Sequence, residues 1–288
     1  MSSFTRLIRF LAKDGRVHYG DALLPSGVSD IAQATQARVI RGSIFGTHTV
    51  TDEIADVRML LAPLAPEDVR TVRCLGINYA LHAKETNLPV PKYPVLFYKP
   101  VTSLTGPRDN IPVAPIAQEG QGLDYECELV VVIGKTCKDV SEDDALSVVL
   151  GYAVGNDVSH REWQMQRGGG QWSLGKGFDG WAPWGPGIVA ASQINPLNLA
   201  IRTTLNGRQM QSSNTSDMIF NVRQAISFLS RGTTLQPGDL IFTGTPSGVG
   251  MGQTPKLWLR DGDVVEVALE GVGSCVNRVT FEKERPKL

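Results

Sequence analysis

The sequence predicts a β-rich α+β protein, with a small N-terminal domain ahead of a larger one, and three observations predict it. Short apolar runs recur from residue 72 onward, each bounded by Gly, Pro or Asn. Thirty glycines and seventeen prolines are spread without a repeat, which supplies many turns. Stretches with helical periodicity are few and short.

In chain order, residues 1–68 make up the small N-terminal domain and residues 69–288 the larger one. The first segment alternates like a strand, and Asp14-Gly15 is a hairpin turn. Arg6, Arg9 and Lys13 among Leu7, Ile8, Phe10 and Leu11 give this end a faint likeness to a mitochondrial presequence, but the hairpin accounts better for the alternation. Turn-rich segments end in Val57-Arg58-Met59-Leu60-Leu61, and Pro63 and Pro66 punctuate a linker. Residues 94–98, 129–133, 199–205, 240–242 and 264–269 then read as strands. Helices are expected at 141–149, 159–167 and 218–230, the first opened by Ser141 with Asp144 three residues on, a capping arrangement, and His82 and Glu85 sit on a segment that looks like a short helix.

With 288 residues, 42% of them hydrophobic, the chain has material for an ample core. Net charge is −1 and the basic residues are scattered, so neither nucleic acid nor an acidic membrane is an expected partner. No apolar run approaches the ~20 residues of a membrane span. Cys74, Cys127, Cys137 and Cys275 form no C-x-x-C pair and read as reduced thiols of an intracellular protein. The cytoplasm is the expected compartment. Pro286-Lys287-Leu288 departs by one residue from the S-K-L peroxisomal signal and makes the peroxisome the alternative, with the mitochondrion behind both.

The chemistry concentrates in Asp124-Tyr125-Glu126-Cys127-Glu128, followed by Leu129-Val130-Val131-Val132-Ile133-Gly134. The apolar continuation reads as a strand buried on both faces, and period two points Glu126 and Glu128 to the same side. A Glu-x-Glu alone is usually a solvated face. Near an interior, two adjacent carboxylates call for a positive group between them. A second apolar run, Gly151-Tyr152-Ala153-Val154-Gly155-Asn156, ends in Asp157. Three carboxylates without clustered Cys or His describe an oxygen-ligand site for Mg²⁺, Mn²⁺ or Ca²⁺ rather than zinc. Arg161 and Gln164 follow at i, i+3 spacing, as do His82 and Glu85, a pair that can orient and activate a water. Lys176 is flanked by glycines that let its ammonium approach a ligand closely. Thr243-Gly244-Thr245-Pro246-Ser247-Gly248 lacks the Gly-Lys-Ser/Thr of a phosphate loop.

These residues resemble the fumarylacetoacetate hydrolase superfamily over essentially the whole chain, most firmly across 72–277. The likeness rests on Gly76-Ile77-Asn78-Tyr79-Ala80-Leu81-His82-Ala83-Lys84-Glu85, on Phe97-Tyr98-Lys99-Pro100, and on the acidic run and its partner ending at Asp157. Ser173-Leu174-Gly175-Lys176-Gly177-Phe178-Asp179 and residues 237–250 extend it. Within the superfamily, Leu88-Pro89-Val90-Pro91-Lys92 and Gln211-Ser212-Ser213-Asn214-Thr215 look most like the branch of oxaloacetate tautomerases and acylpyruvate hydrolases. The resemblance implies a mixed β-sandwich roll for the large domain. It also implies Mg²⁺ or Mn²⁺ on Glu126, Glu128 and Asp157, with Lys176 beside the metal. Substrate contacts fall to Arg161, Gln164 and Thr245, and His82 with Glu85 sits on a lid hinged near residues 87–91.

The implied activity is metal-dependent chemistry on a small 2-oxo or 2,4-dioxo acid through a metal-chelated enolate, first of all C–C bond hydrolysis of an acylpyruvate-type substrate. Tautomerisation or decarboxylation of oxaloacetate are the alternatives, and a non-catalytic metal- or ligand-binding protein is the rival from another class. Family members are commonly homodimers, so a homodimer is expected. Two departures, His160 in place of a small residue and the run Arg167-Gly168-Gly169-Gly170, bear on the substrate more than on the metal.

Overall fold

The computed structural model describes residues 4–283, so the tripeptide Pro286-Lys287-Leu288 lies outside the described residues. β1 (Arg6–Ala12) and β2 (Val17–Leu23) form the expected hairpin around Asp14-Gly15. β3 (Gln36–Gly42) and the long β4 (His48–Leu60) continue from it. After the Pro63–Pro66 turn come β5 (Val72–Gly76), helix α1 (Ala80–Glu85), β6 (Val95–Lys99), β7 (Leu104–Thr105) and β8 (Ile111–Val113). β9 (Leu123–Asp124), β10 (Cys127–Ile133), β11 (Val149–Asn156), β12 (Ser159–His160) and β13 (Ala182–Ala190) carry the acidic segments. β14 (Ala200–Leu205), β15 (Arg208–Asn214), helix α2 (Val222–Ser230), β16 (Leu240–Phe242), β17 (Val264–Leu269) and β18 (Gly273–Phe281) complete the order.

Two mixed sheets result. One runs β2-β3-β4-β1-β13-β11-β10-β16-β5-β6, with β7 added parallel to β13. The other runs β15-β14-β17-β18-β8. β1 pairs with β13 through Arg6↔Val189 and Leu7↔Ile188, which joins the N-terminal strands to the larger sheet. β10 is buried along its whole length, as its unbroken apolar run requires. Leu129, Val131 and Ile133 pack between the sheets with Ile201, Val267 and Cys275. Val130 and Val132 point the other way, onto Phe242, Trp184 and Leu7. Side chains of this kind stabilise the fold by roughly 1.5–3 kcal/mol each when fully buried, so truncations along β10 are costly.

Three helical expectations need correction. Residues 141–149 form no α-helix: Ser141 Oγ accepts from Asp144 N and donates to Asp144 Oδ2, but only a short 3₁₀ turn, Ala145–Val148, follows. The β-branched pair Val148-Val149 favours extension, and β11 takes Val149 into the sheet. Residues 159–160 are strand β12, paired with β9, and a π-helical turn, Trp163–Arg167, follows them. α2 starts at Val222 rather than 218 because Asn221 caps it, accepting from Arg223 N and Gln224 N while Gln224 Oε1 accepts from Asn221 N.

The pairing of β10 with β11 positions the acids. Cys127 faces Asn156 and Glu128 faces Gly155, and Asp157 N donates to Glu126 O at 2.9 Å just beyond the ladder. Period two then puts Glu126, Glu128 and Asp157 on one side, at the end of the sheet where β10 and β11 stop pairing.

Candidate active site and metal centre

Glu126, Glu128 and Asp157 are all buried, and each offers a carboxylate oxygen within 4.8 Å of the others. Glu128 Oε2 accepts from Gly244 N at 2.7 Å, while its Oε1 is buried without a hydrogen-bond partner. Burial, then the neighbouring Asp157 and Glu126, push the Glu128 carboxyl well above the usual carboxylate range. A buried acceptor without a donor, among three converging carboxylates, is what a hard divalent cation would satisfy. The donor set fits an oxygen-preferring metal and offers no soft ligand.

The cluster also carries cations of its own chain. Lys176 Nζ bridges Glu126 Oε2 and Asp157 Oδ2, each at 2.7 Å. Burial lowers its ammonium, but the attraction of Asp157 and Glu126 outweighs this and leaves it raised. Arg161 Nη1 lies 2.6 Å from Glu126 Oε1. Burial likewise raises the Glu126 carboxyl, yet Lys176 and Arg161 reverse the balance and hold it well below its ordinary range. Lys176 is therefore no surface lysine. Its flanking Gly175 packs against the backbone of Gln164, where a side chain would have a Cβ 2.8 Å from Gln164 Cβ, so the glycine is needed for the approach. Phe97 lies beneath the ammonium, 5.1 Å from ring centre to Nζ.

The segment 78–85 is held against this cluster from the opposite side. Asn78 Nδ2 donates to Phe220 O and Thr243 O, which fixes the entry to α1. His82 is buried, with Nδ1 3.1 Å from Glu85 Oε2, and Glu85 Oε1 accepts from Gly248 N at 2.8 Å. The carboxylate contact engages Nδ1 and leaves Nε2 as the other ring nitrogen. Asn87, with φ +53°, turns the chain out of the helix.

Six of the nine sequence-predicted residues line one cavity of about 40 Å³: His82, Glu126, Arg161, Gln164, Lys176 and Thr245. Glu128 and Asp157 stand behind Glu126, and Glu85 behind His82. Arg161 Nη1 donates to Gln164 Oε1 at 3.1 Å, so their i, i+3 pairing survives although the helical stretch widens into a π-turn at Trp163. The Thr245 hydroxyl is committed internally, donating to Cys127 O at 3.0 Å and accepting from Gln211 Nε2 at 2.8 Å. His160 does not reach this cavity. With Leu123 it lines a separate groove of about 690 Å³, which holds none of the nine residues; its charged lining, Arg208, Lys256, Arg260 and Asp263, is surface-borne. The small cavity, where the buried charges converge, is the better candidate despite its size.

Sequence reasoning missed three residues. Lys99 Nζ is fully buried and donates to Asp157 Oδ1 at 2.6 Å and to Val158 O at 3.2 Å. Asp124, also buried, accepts from Arg161 Nε at 2.9 Å. Gln211 Oε1 accepts from Cys127 N and Thr203 Oγ1, bracing the start of β10. Only Asp124 left a readable signal: it precedes Glu126 and Glu128 at the same period of two.

A buried carboxylate cluster with its own lysines and arginine, open to a small cavity beside a His–Glu pair, has the features of an enzyme site. The chain belongs to the fumarylacetoacetate hydrolase family: the family's C-terminal domain matches residues 71–280. The caffeoylpyruvate hydrolase of Neonothopanus nambi is 45% identical over 294 aligned residues, covering 98% of this chain and 95% of that protein. The mitochondrial oxaloacetate tautomerase FAHD2A of Bos taurus is 46% identical over 220 residues, 76% of this chain and 68% of that one. Among solved structures, a 2-hydroxyhepta-2,4-diene-1,7-dioate isomerase from Mycobacterium marinum superposes with a TM-score of 0.81 at 37% identity, covering 97% of this chain and all of that one. Hydrolase, tautomerase and isomerase all occur on this scaffold.

Proposed function

We propose that the enzyme hydrolyses the C–C bond of an acylpyruvate-type 2,4-dioxo acid, with Mg²⁺, or Mn²⁺ in its place, held by Glu126, Glu128 and Asp157. The observation that carries this reading is the His82–Glu85 pair, hydrogen-bonded at 3.1 Å, with His82 buried and facing the same cavity as Glu126, Arg161 and Lys176. Hydrolysis needs a base for water, and tautomerisation does not. The relative that matches over nearly its whole length is named a caffeoylpyruvate hydrolase, which supports the same choice. Bound at the triad, the cation supplies Lewis acidity to the adjacent oxygens of the oxo acid.

The chain's own residues do the rest. Arg161 and Gln164 orient the substrate carboxylate, the arginine through its planar fork, and Lys176 neutralises charge that develops on oxygen. His82 Nε2 takes a proton from water as its oxygen bonds to the acyl carbonyl carbon. The bond between that carbon and the methylene breaks, its electron pair passes to the pyruvyl fragment, and a proton on the methylene carbon completes pyruvate. Leu75, Trp172 and Met251 give the cavity an apolar wall that limits water.

Oxaloacetate keto–enol tautomerisation is the second reading, favoured by the cavity's small volume, which suits a four-carbon acid better than an aryl one. Product analysis by NMR decides between them. Acetylpyruvate giving pyruvate and acetate, with Glu126→Gln inactive, supports the hydrolase. Accelerated conversion of enol-oxaloacetate, with no fragments from either acid, overturns it. The working unit we propose is a homodimer. The exposed apolar residues Leu81, Leu88, Val90, Tyr93, Leu96 and Tyr98 on one stretch of chain support it, and a monomeric mass by light scattering would refute it.

A further inference from the structure

We infer that Asp124 is the positioning residue for Arg161: it sets which edge of the guanidinium faces the cavity, and through that the affinity for an anionic substrate. The inference rests on the reading of Arg161 as the carboxylate contact.

Arg161 presents three nitrogens, and Asp124 occupies two of them. Nε donates to Asp124 Oδ2 at 2.9 Å, and Nη2 lies 2.8 Å from the same oxygen, as an ionic contact rather than an aligned hydrogen bond. Nη1 meets Glu126 Oε1 and Gln164 Oε1, side chains of two residues that line the cavity. Held by one edge, a planar fork has a single orientation, and no rotamer freedom is left to lose when a ligand arrives.

Asp124 can hold that edge because it is itself fixed. Its Oδ1 accepts from Tyr125 N at 2.9 Å and from Gly250 N at 2.7 Å, and its Oδ2 from Met251 N at 3.0 Å. A side chain at Gly250 would bring a Cβ to 2.7 Å from Asp124 Oδ1, so the glycine lets the amide approach. The backbone adds its own register. β9 pairs Asp124 with Ser159, and Arg161 N donates to Gly122 O at 2.8 Å. Two residues 37 apart in sequence are thus locked on one short ribbon, and neither belongs to the carboxylate triad. The ribbon also ties Arg161 to Met251, which lines the cavity.

The test is calorimetric binding of pyruvate, the minimal 2-oxo acid, to Mn²⁺-loaded wild type, D124N, R161A and the double variant, with Mn²⁺ affinity measured separately for each. The expected result is a loss of about tenfold in pyruvate affinity for D124N, Mn²⁺ affinity held within a few-fold, and no further loss when D124N is added to R161A. That non-additivity is the signature of one residue acting through the other. Wild-type pyruvate affinity in D124N, or a full additional loss in the double variant, overturns the inference while leaving the substrate reading standing. Wild-type affinity in R161A removes the substrate reading itself, and this inference with it. If D124N does not fold, R161K keeps the charge but offers no edge to grip; it is expected to bind pyruvate nearly as poorly as R161A, and wild-type affinity in R161K overturns the inference.

Discussion

Replacing Lys99 with Met tests whether the carboxylate cluster depends on the chain's own cations. The Lys99 and Asp157 side chains are both fully buried, with Nζ 2.6 Å from Oδ1. Around the site stand four carboxylates, Asp124, Glu126, Glu128 and Asp157, against three cations, Lys99, Arg161 and Lys176. Losing Lys99 doubles the formal excess of negative charge from one to two. Removing one partner of a buried pair costs about 3–5 kcal/mol, and Lys176 on Asp157 Oδ2 keeps the cost toward the lower end. At roughly 2 °C per kcal/mol for a chain of this size, the unfolding midpoint in EDTA should fall by about 6–10 °C. A divalent cation at a hundred times its dissociation constant stabilises by about 2.7 kcal/mol. The more negative cluster binds it more tightly, so Mg²⁺ should raise the midpoint of K99M by more than it raises that of wild type. Scanning calorimetry of both proteins, with and without Mg²⁺, reads this directly. A midpoint in EDTA within about 2 °C of wild type, or equal increments from Mg²⁺, would refute the reasoning.

His82→Ala should lower acetylpyruvate hydrolysis by about 10²–10⁴-fold while Mn²⁺ still binds, seen by coupled pyruvate assay and calorimetry; an unimpaired rate ends the role given to the dyad. Chelation should abolish turnover and Mg²⁺ should restore it, whereas activity that persists in EDTA after dialysis rules out metal dependence. Glu128 gives a pH prediction. Its carboxyl is raised in the native state, so its contribution to stability is full below the ordinary carboxylate value, ~4.3, and is lost as pH rises through the native one. Metal-free E128Q should therefore gain midpoint relative to metal-free wild type as pH rises above the ordinary carboxylate value, and a difference independent of pH counts against it. Gln211→Leu strands Cys127 N and Thr203 Oγ1, so a loss of about 1–3 kcal/mol is expected in urea unfolding; an unchanged midpoint would show that the brace is idle.

What was legible in the sequence was local. Period two alone placed Glu126 and Glu128 together, and the apolar run after them correctly announced a strand covered on both faces, as β10 is. The i, i+3 spacing of His82 with Glu85 needed only one helical turn, and α1 supplies it. The i, i+3 spacing of Arg161 and Gln164 also held, although the helical stretch begins only after β12 and widens into a π-helical turn at Trp163. Local signals also misled: Ser141 Oγ accepts from Asp144 N, but the sheet claims Val149 before a helix can propagate.

The counter-ions were not legible, and the reason is physical. Each acid advertises itself by its neighbours along the strand, but the cation that neutralises it comes from elsewhere in the chain. Lys99 lies 58 residues from Asp157, and Lys176 lies 50 from Glu126. Nothing in the run Val95-Leu96-Phe97-Tyr98-Lys99 distinguishes a lysine that snorkels to water at a strand end from one driven inward onto a carboxylate. The sheet order makes that distinction, by placing β6 on the same sheet as β10, beyond β16 and β5. An acid pair on a buried strand therefore implies that compensating charge exists, and only the fold says which residues provide it.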